Sequence, residues 1–250
     1  MKRNVLARFS FAAAALVAAA LLSTEGRGAA REGSAAEPPY ETLLYQNTDM
    51  NIFDVALPAG QSALLAEHDA LFVATVGGSA TLAGPGQSPS TISLAPGAVL
   101  FLRGGLSRTL TNGGRSLLEG VTIEFLKQGL AGGGCSCSGG TEASICGCPN
   151  ARPLPPDWEM QMGGLALAGM ELAPGATYQI SNNRTTRFLV AVTPFDLLDT
   201  SIHEPHNVVV RLPAGRFHWL APGPHTLQNL GSQPLQLVSV EFFGTPQKTD

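Results

Sequence analysis

The sequence predicts an all-β protein, two antiparallel β-barrels or jelly rolls in tandem joined by a Cys-rich loop. Three observations carry that fold class. First, short runs rich in Val, Leu, Ile and Phe, such as "GAVLFL", "EGVTIEFL", "RFLVAV" and "NVVVRL", are punctuated by Gly/Pro pairs, as strands between tight turns should be. Second, outside the N-terminal apolar run, no segment sustains a 3.6-residue apolar period over three turns. Third, the chain repeats itself. Leu94–Phe125 lies over Leu212–Phe242, with Leu94 and Gly97 meeting Leu212 and Gly215. Asn112 then meets Asn229, and Val121, Ile123, Glu124 and Phe125 meet Val238, Val240, Glu241 and Phe242. Earlier, Leu57–Gly60 meets Leu172–Gly175 and Phe72–Val76 meets Phe188–Val192, so the shift stays between 115 and 118 residues. Closed or paired sheets of short strands limit exposed edges, which is why such a repeat reads as barrels.

The elements follow in order. Residues 1–30 have the make-up of a signal peptide: Lys2, Arg3 and Arg8, then the apolar run Phe11–Leu22, then Gly28 and Ala30 as the small residues before a cleavage point. Export to the periplasm or the medium is therefore expected. The run is short for a membrane span of about 20 residues, so no span is expected after cleavage. Its Ala-rich character points to a bacterial source. Residues 31–48 read as a flexible lead-in, 49–128 as the first barrel, 129–158 as a Gly/Cys/Pro-rich connection and 159–250 as the second barrel. Cleavage after residue 30 leaves 11 basic and 18 acidic residues, a net charge of −7. With no run of Lys or Arg, nucleic acid is excluded as a partner. Nothing matches a Ser/His/Asp or Cys/His nucleophile arrangement, a phosphate loop or a dinucleotide fingerprint.

Each half resembles a cupin, and the whole resembles a bicupin. The family's second motif, G-x5-P-x-G-x2-H-x3-N, maps onto Pro222, Gly223, His225 and Asn229, one residue short between glycine and histidine. In the first half Gly97 and Asn112 fit, but Arg108 stands where the histidine belongs. The resemblance implies a metal held by two histidines, a glutamate and the later histidine. The first motif should follow Gly60 and Gly175. After Gly60 only His68 can serve, beside Glu67 and Asp69. After Gly175 the positions are Ser181 and Asn183, followed by Arg184 and Arg187, and arginine does not ligate. Neither barrel is expected to carry the metal set. His225 reads as a histidine packed at a barrel mouth and bonded to backbone, and His218 as a packed strand histidine beside Trp219, with Leu100 as its counterpart. His203 and His206 read as loop residues, although convergence of His218 and His225 with either stays open. Arg184 and Arg187 fall where ligands would project inward, or else on a strand edge in water. An inward arginine needs an anionic partner, either an internal carboxylate such as Glu241 or an anionic ligand. Residues His225, His218, Arg184 and Arg187 are thus the candidate ligand contacts.

The connection holds all four cysteines as Cys-x-Cys, eight residues, Cys-x-Cys. In a hairpin Cys135 faces Cys148 and Cys137 faces Cys146, with all four thiols on one face. Disulfides Cys135–Cys148 and Cys137–Cys146 suit an exported chain. Four thiolates around copper or zinc are the alternative, and the loop is also a possible protein contact. The functional expectation is an exported, non-catalytic binding or structural protein without a cofactor. The alternatives are a dioxygenase-like bicupin enzyme with one Cu, Zn or Fe ion on an unusual histidine set, and copper or zinc handling through Cys135, Cys137, Cys146 and Cys148.

Overall fold

Turn chemistry sets the strand boundaries. The amides of Gln61, Ala98 and Ala176 donate to the carbonyls of Pro58, Ala95 and Ala173 at 3.0, 2.9 and 3.0 Å. The third residue of each turn is a glycine with positive φ: Gly60 at 74°, Gly97 at 79° and Gly175 at 74°. A side chain there would be strained, so these glycines fix where one strand ends and the next begins. The computed structural model describes residues 40–65, 68–84, 88–105, 108–126, 157–181, 185, 187–201 and 207–242. The expected signal peptide, Glu67, Asn183, Arg184, His203, His206 and the four cysteines lie outside these residues.

Among the described residues eighteen strands follow, nine in each half. The first half holds β1 (Glu41–Gln46), β2 (Met50–Leu57), β3 (Ser62–Leu65), β4 (Asp69–Val76), β5 (Gly78–Ala83), β6 (Ser90–Leu94), β7 (Val99–Leu102), β8 (Arg108–Asn112) and β9 (Leu118–Phe125). The second holds β10 (Trp158–Met162), β11 (Leu165–Leu172), β12 (Thr177–Ile180), β13 (Arg187–Ala191), β14 (Phe195–Ser201), β15 (Val208–Leu212), β16 (Phe217–Leu220), β17 (His225–Asn229) and β18 (Leu235–Phe242). Every strand pairing among the described residues is antiparallel. Each half is a five-stranded sheet, β1-β2-β9-β4-β7 or β10-β11-β18-β13-β16, facing a four-stranded one, β3-β8-β5-β6 or β12-β17-β14-β15. The two strand orders are the same once each first-half number is raised by nine. This is the tandem jelly roll that the repeat predicts. Among the described residues no helix is long and apolar enough to cross a membrane.

Both halves lie within one unit, Pro38–Asp250, and the largest core lies between them. Ile52, Leu71, Val73, Phe101, Val121 and Ile123 of the first five-stranded sheet pack with Leu165, Leu167, Phe188, Val190, Val238 and Val240 of the second. The other face of each five-stranded sheet closes its own lumen against the four-stranded sheet: Phe72, Leu100, Leu102 and Leu118 in barrel 1, and Leu189 and Leu237 with Leu197 and Leu227 of the four-stranded sheet in barrel 2. The central strands are thus buried on both faces, which explains continuous runs such as "LFVAT" in β4. β18 reads from sequence as half-buried. In the structure its alternation separates two buried settings, with Val238 and Val240 facing the other barrel, and Ser239 and Glu241, 1 and 3 % exposed, facing the lumen.

Two further expectations are corrected. Residues 41–46, assigned to the flexible lead-in, form β1, which pairs with β2. Tyr45 on it meets Phe217 and Trp219 of the second half, with ring centroids 6.0 and 5.4 Å apart. The aligned block Phe72–Val76 over Phe188–Val192 is out by one. Phe72 pairs with Thr122 and Leu189 with Ser239, so Leu189 is the counterpart of Phe72. With period two, a slip of one residue changes the face. Accordingly Phe72 fills a lumen while Phe188 belongs to the core between barrels.

Candidate ligand site in the second barrel

The repeated asparagine is the part of the late motif that both halves share, and its work is structural. Asn112 Nδ2 donates to the carbonyls of Leu57 (2.7 Å) and Ser116 (2.8 Å), while its Oδ1 accepts from the Gly114 amide at 2.9 Å. Asn229 repeats this with Leu172 (2.9 Å), Gln233 (2.8 Å) and Gly231 (2.8 Å). Each side chain ties the end of β8 or β17 to the end of β2 or β11, replacing buried backbone bonds that the turn breaks.

Four residues before Asn229, His225 is 2 % exposed. Its Nδ1 lies 2.7 Å from Asp199 Oδ1 and its Nε2 lies 2.8 Å from the Ala221 carbonyl. A carbonyl only accepts, so Nε2 carries a hydrogen, and Nδ1 is committed to the carboxylate. The second carboxylate oxygen, Oδ2, stands 3.3 Å from His218 Nε2 on β16. Asp199 and His225 belong to the four-stranded sheet and His218 to the five-stranded sheet, so the chain of contacts spans the lumen. Burial works against the Asp199 carboxylate, but the hydrogen bonds from His218 and His225 outweigh it and hold the carboxyl below the usual carboxylate range. Asp199 was not singled out from sequence. The signal was present: in "FDLLDTS", Asp199 shares the inward face with Phe195 and Leu197, a charge where an alternating strand should carry an apolar residue.

Arg187 enters the same lumen from β13. It forms an ion pair with Glu241 on β18 through Nη2, and Nη1 donates to Ser239 Oγ at 3.2 Å. Thr185 donates to the other oxygen of Glu241 at 3.2 Å. The Arg187 side chain is 14 % exposed, which overturns the strand-edge alternative and selects Glu241 as its internal partner. Its Nε is buried and without a hydrogen-bond partner among the described residues. Arg187 and Ser239 line a cleft of about 430 Å³, together with Tyr178, Glu159, Ala166 and Ala168. The Tyr178 phenol is pushed up by burial and by the nearby Glu159 carboxylate, while Arg187 pulls it the other way. Tyr178 therefore sits within electrostatic reach of a cation and an anion. No sequence pattern marks Tyr178 or Glu159, because they meet Arg187 only through the sheet pairings.

The resemblance implies a metal, and the described residues do not fit one. His225 has committed both ring nitrogens. The position of the expected glutamate is near Arg187, whose cation opposes a metal ion. Ser181 is exposed. In barrel 1, His68 lies in a bend before β4 and not on a strand, and Arg108 points its buried Nε, unpartnered among the described residues, into the place of the late histidine. Among the described residues no group of three or more His, Cys, Asp or Glu side chains is placed to hold a metal ion.

No protein-family model matches the chain, and no curated protein does. Solved structures resemble it. AerE from Microcystis aeruginosa has a TM-score of 0.60 over 84% of this chain and 96% of its own, at 9% identity. A variant of Bacillus subtilis oxalate decarboxylase gives 0.54 over 78% and 69%, at 12% identity. The Lactobacillus farciminis oxalate decarboxylase, in a formate complex, gives 0.54 over 78% and 77%, at 11% identity. Identities this low speak to fold alone. Two jelly rolls of one strand order, repeated at a nearly constant shift and matched in these two-barrel proteins, give this chain the bicupin fold.

Proposed function

We propose that this chain is an exported, non-catalytic binding protein in which barrel 2 takes a small ligand through an anionic group at Arg187, and barrel 1 serves as a structural partner. One observation supports the reading above the others: at matched positions the two lumens differ in kind. Ladder registers set Ala70, Leu82 and Leu100 of barrel 1 against Arg187, Asp199 and His218 of barrel 2. They also set Asn51 and Phe53 against Ala166 and Ala168, the small residues that leave the cleft open. Burying charges costs stability unless each is paired, and an apolar filling of the same lumen would be the more stable solution. Barrel 1 keeps its own polar pair, Asn51 to Glu124, but the added cation, carboxylate and imidazole at three matched positions of barrel 2 argue for selection on binding. Export rests on the N-terminal sequence, and the pairing of Cys135 with Cys148 and Cys137 with Cys146 rests on the symmetric Cys-x-Cys spacing together with that export.

The test is a ligand screen by thermal unfolding on the purified chain, using small monocarboxylates. A ligand at 100 times its Kd stabilises by about 2.7 kcal/mol, a shift of several degrees. The shift should vanish in the double variant Arg187→Met/Glu241→Gln, which removes both charges together and leaves no buried ion alone. An equal shift in that variant, or no shift with any carboxylate, would overturn the reading.

A further inference from the structure

The charges around the cleft do not suit a simple anion. Arg187 is the cation lining it, and Glu241 already neutralises that guanidinium from behind. Glu159 brings a second carboxylate to the rim, near enough to Tyr178 to push up its phenol. Among the described residues, then, one cation and two carboxylates surround the space, and the fixed charge is negative overall. A monoanion would gain the partly exposed Arg187 guanidinium, but would face both carboxylates. A dianion would face them with twice the charge. A cation alone would face the Arg187 guanidinium that lines the cleft.

We infer that the ligand is a small zwitterion, with a carboxylate directed to Arg187 and Ser239 and a protonated amine directed to Glu159. This rests on barrel 2 being the binding barrel and adds the second half of the ligand. The amine supplies the donor that the exposed Glu159 carboxylate accepts. The apolar strip of Ala166 and Ala168 takes the methylene spacer between them. The division of labour is a deep anion contact and a rim cation contact. The first sets whether a ligand binds, and the second sets which one.

The experiment is calorimetric titration of the intact chain with ω-amino acids of two to six carbons, their matched monocarboxylates and their matched dicarboxylates. The expected result is at least one ω-amino acid binding about fivefold tighter than its monocarboxylate, the size an ion pair near the surface supplies, with the dicarboxylate weakest. Glu159→Gln should erase that fivefold preference while leaving the monocarboxylate affinity unchanged or higher, and Tyr178→Phe should reduce it. Monocarboxylates that bind with no preference for the amine, or a preference that survives Glu159→Gln, would overturn the zwitterion inference and leave barrel 2 as an anion site. No binding by any member of the series would remove both.

Discussion

Barrel 1 and barrel 2 are built on one plan and filled in opposite ways. In barrel 1, Phe72 lies over Gly120, so close that a Cβ on the glycine would stand 2.5 Å from the ring. The ladder counterparts in barrel 2 are Leu189 and Leu237, two side chains of equal size. Farther along, Ala63 in barrel 1 corresponds to Tyr178 in barrel 2, and Phe53 to Ala168. Each exchange conserves roughly the packed volume while moving it, except at the cleft, where space is left. The backbone frame tolerates both fillings because it is fixed by elements that do not depend on them: the glycine turns and the two asparagines. Duplicated frames therefore constrain turns and ties strictly, and constrain lumen side chains only through volume and pairing.

Several substitutions would break or sharpen this comparison. The largest effect belongs to Phe72→Ala, which should cost about 3–5 kcal/mol in chemical denaturation because it removes a fully buried ring from the lumen. Adding Gly120→Leu to that variant should recover part of the loss by giving barrel 1 the packing of barrel 2. A cost under about 1 kcal/mol would show that lumen 1 is not the filled one. Next, Asn112→Ala and Asn229→Ala should each cost about 1–3 kcal/mol, since each strands one buried carbonyl, that of Leu57 or Leu172, and loses a bond to the exposed Ser116 or Gln233. The two values should agree within about 0.5 kcal/mol, the usual additivity error, and a clear inequality would break the claim that the ties are equivalent.

Asp199→Asn should cost about 2 kcal/mol at neutral pH, the loss of hydrogen bonds to a charged group. Its folded carboxyl is held below the ordinary range. The contribution is therefore complete above the unfolded-state pKa and is lost as pH falls through the folded one. Stability measured against pH should fall in acid for the natural chain and fall less for the Asn variant. Parallel acid limbs would show that Asp199 does not tie the lumen. The smallest effect belongs to the ion pair across the barrels, Arg216 to Asp54 at 2.9 Å, whose side chains are 42 and 36 % exposed. Asp54→Ala should cost under about 1 kcal/mol and nothing at high salt. A larger cost would mean that charge, and not the apolar core between barrels, holds the halves together.

Much of the frame was legible in the sequence. The repeat, the turn glycines and the pair Asn112 and Asn229 are local or periodic signals, and a turn or a tie within a few residues leaves its mark in neighbouring letters. The register of β4 against β13 was misread by one residue. "FVATV" and "FLVAV" are apolar at almost every position, and a strand buried on both faces has no alternation to fix its phase. β1 was missed because its alternation is weak and its partner Trp219 stands 174 positions away.

The sequence by itself determined that there are two β jelly rolls and where their turns fall. Tertiary structure alone decided which buried face is a lumen and which is the seam between barrels. It decided that Arg187 meets Glu241 rather than water, and that Asp199 holds His218 and His225 together. The physical reason is range. Turn propensity and period-two patterning act over a few residues, whereas Arg187 and Glu241 are 54 positions apart. They meet only because the sheet order β18-β13 sets them side by side in register.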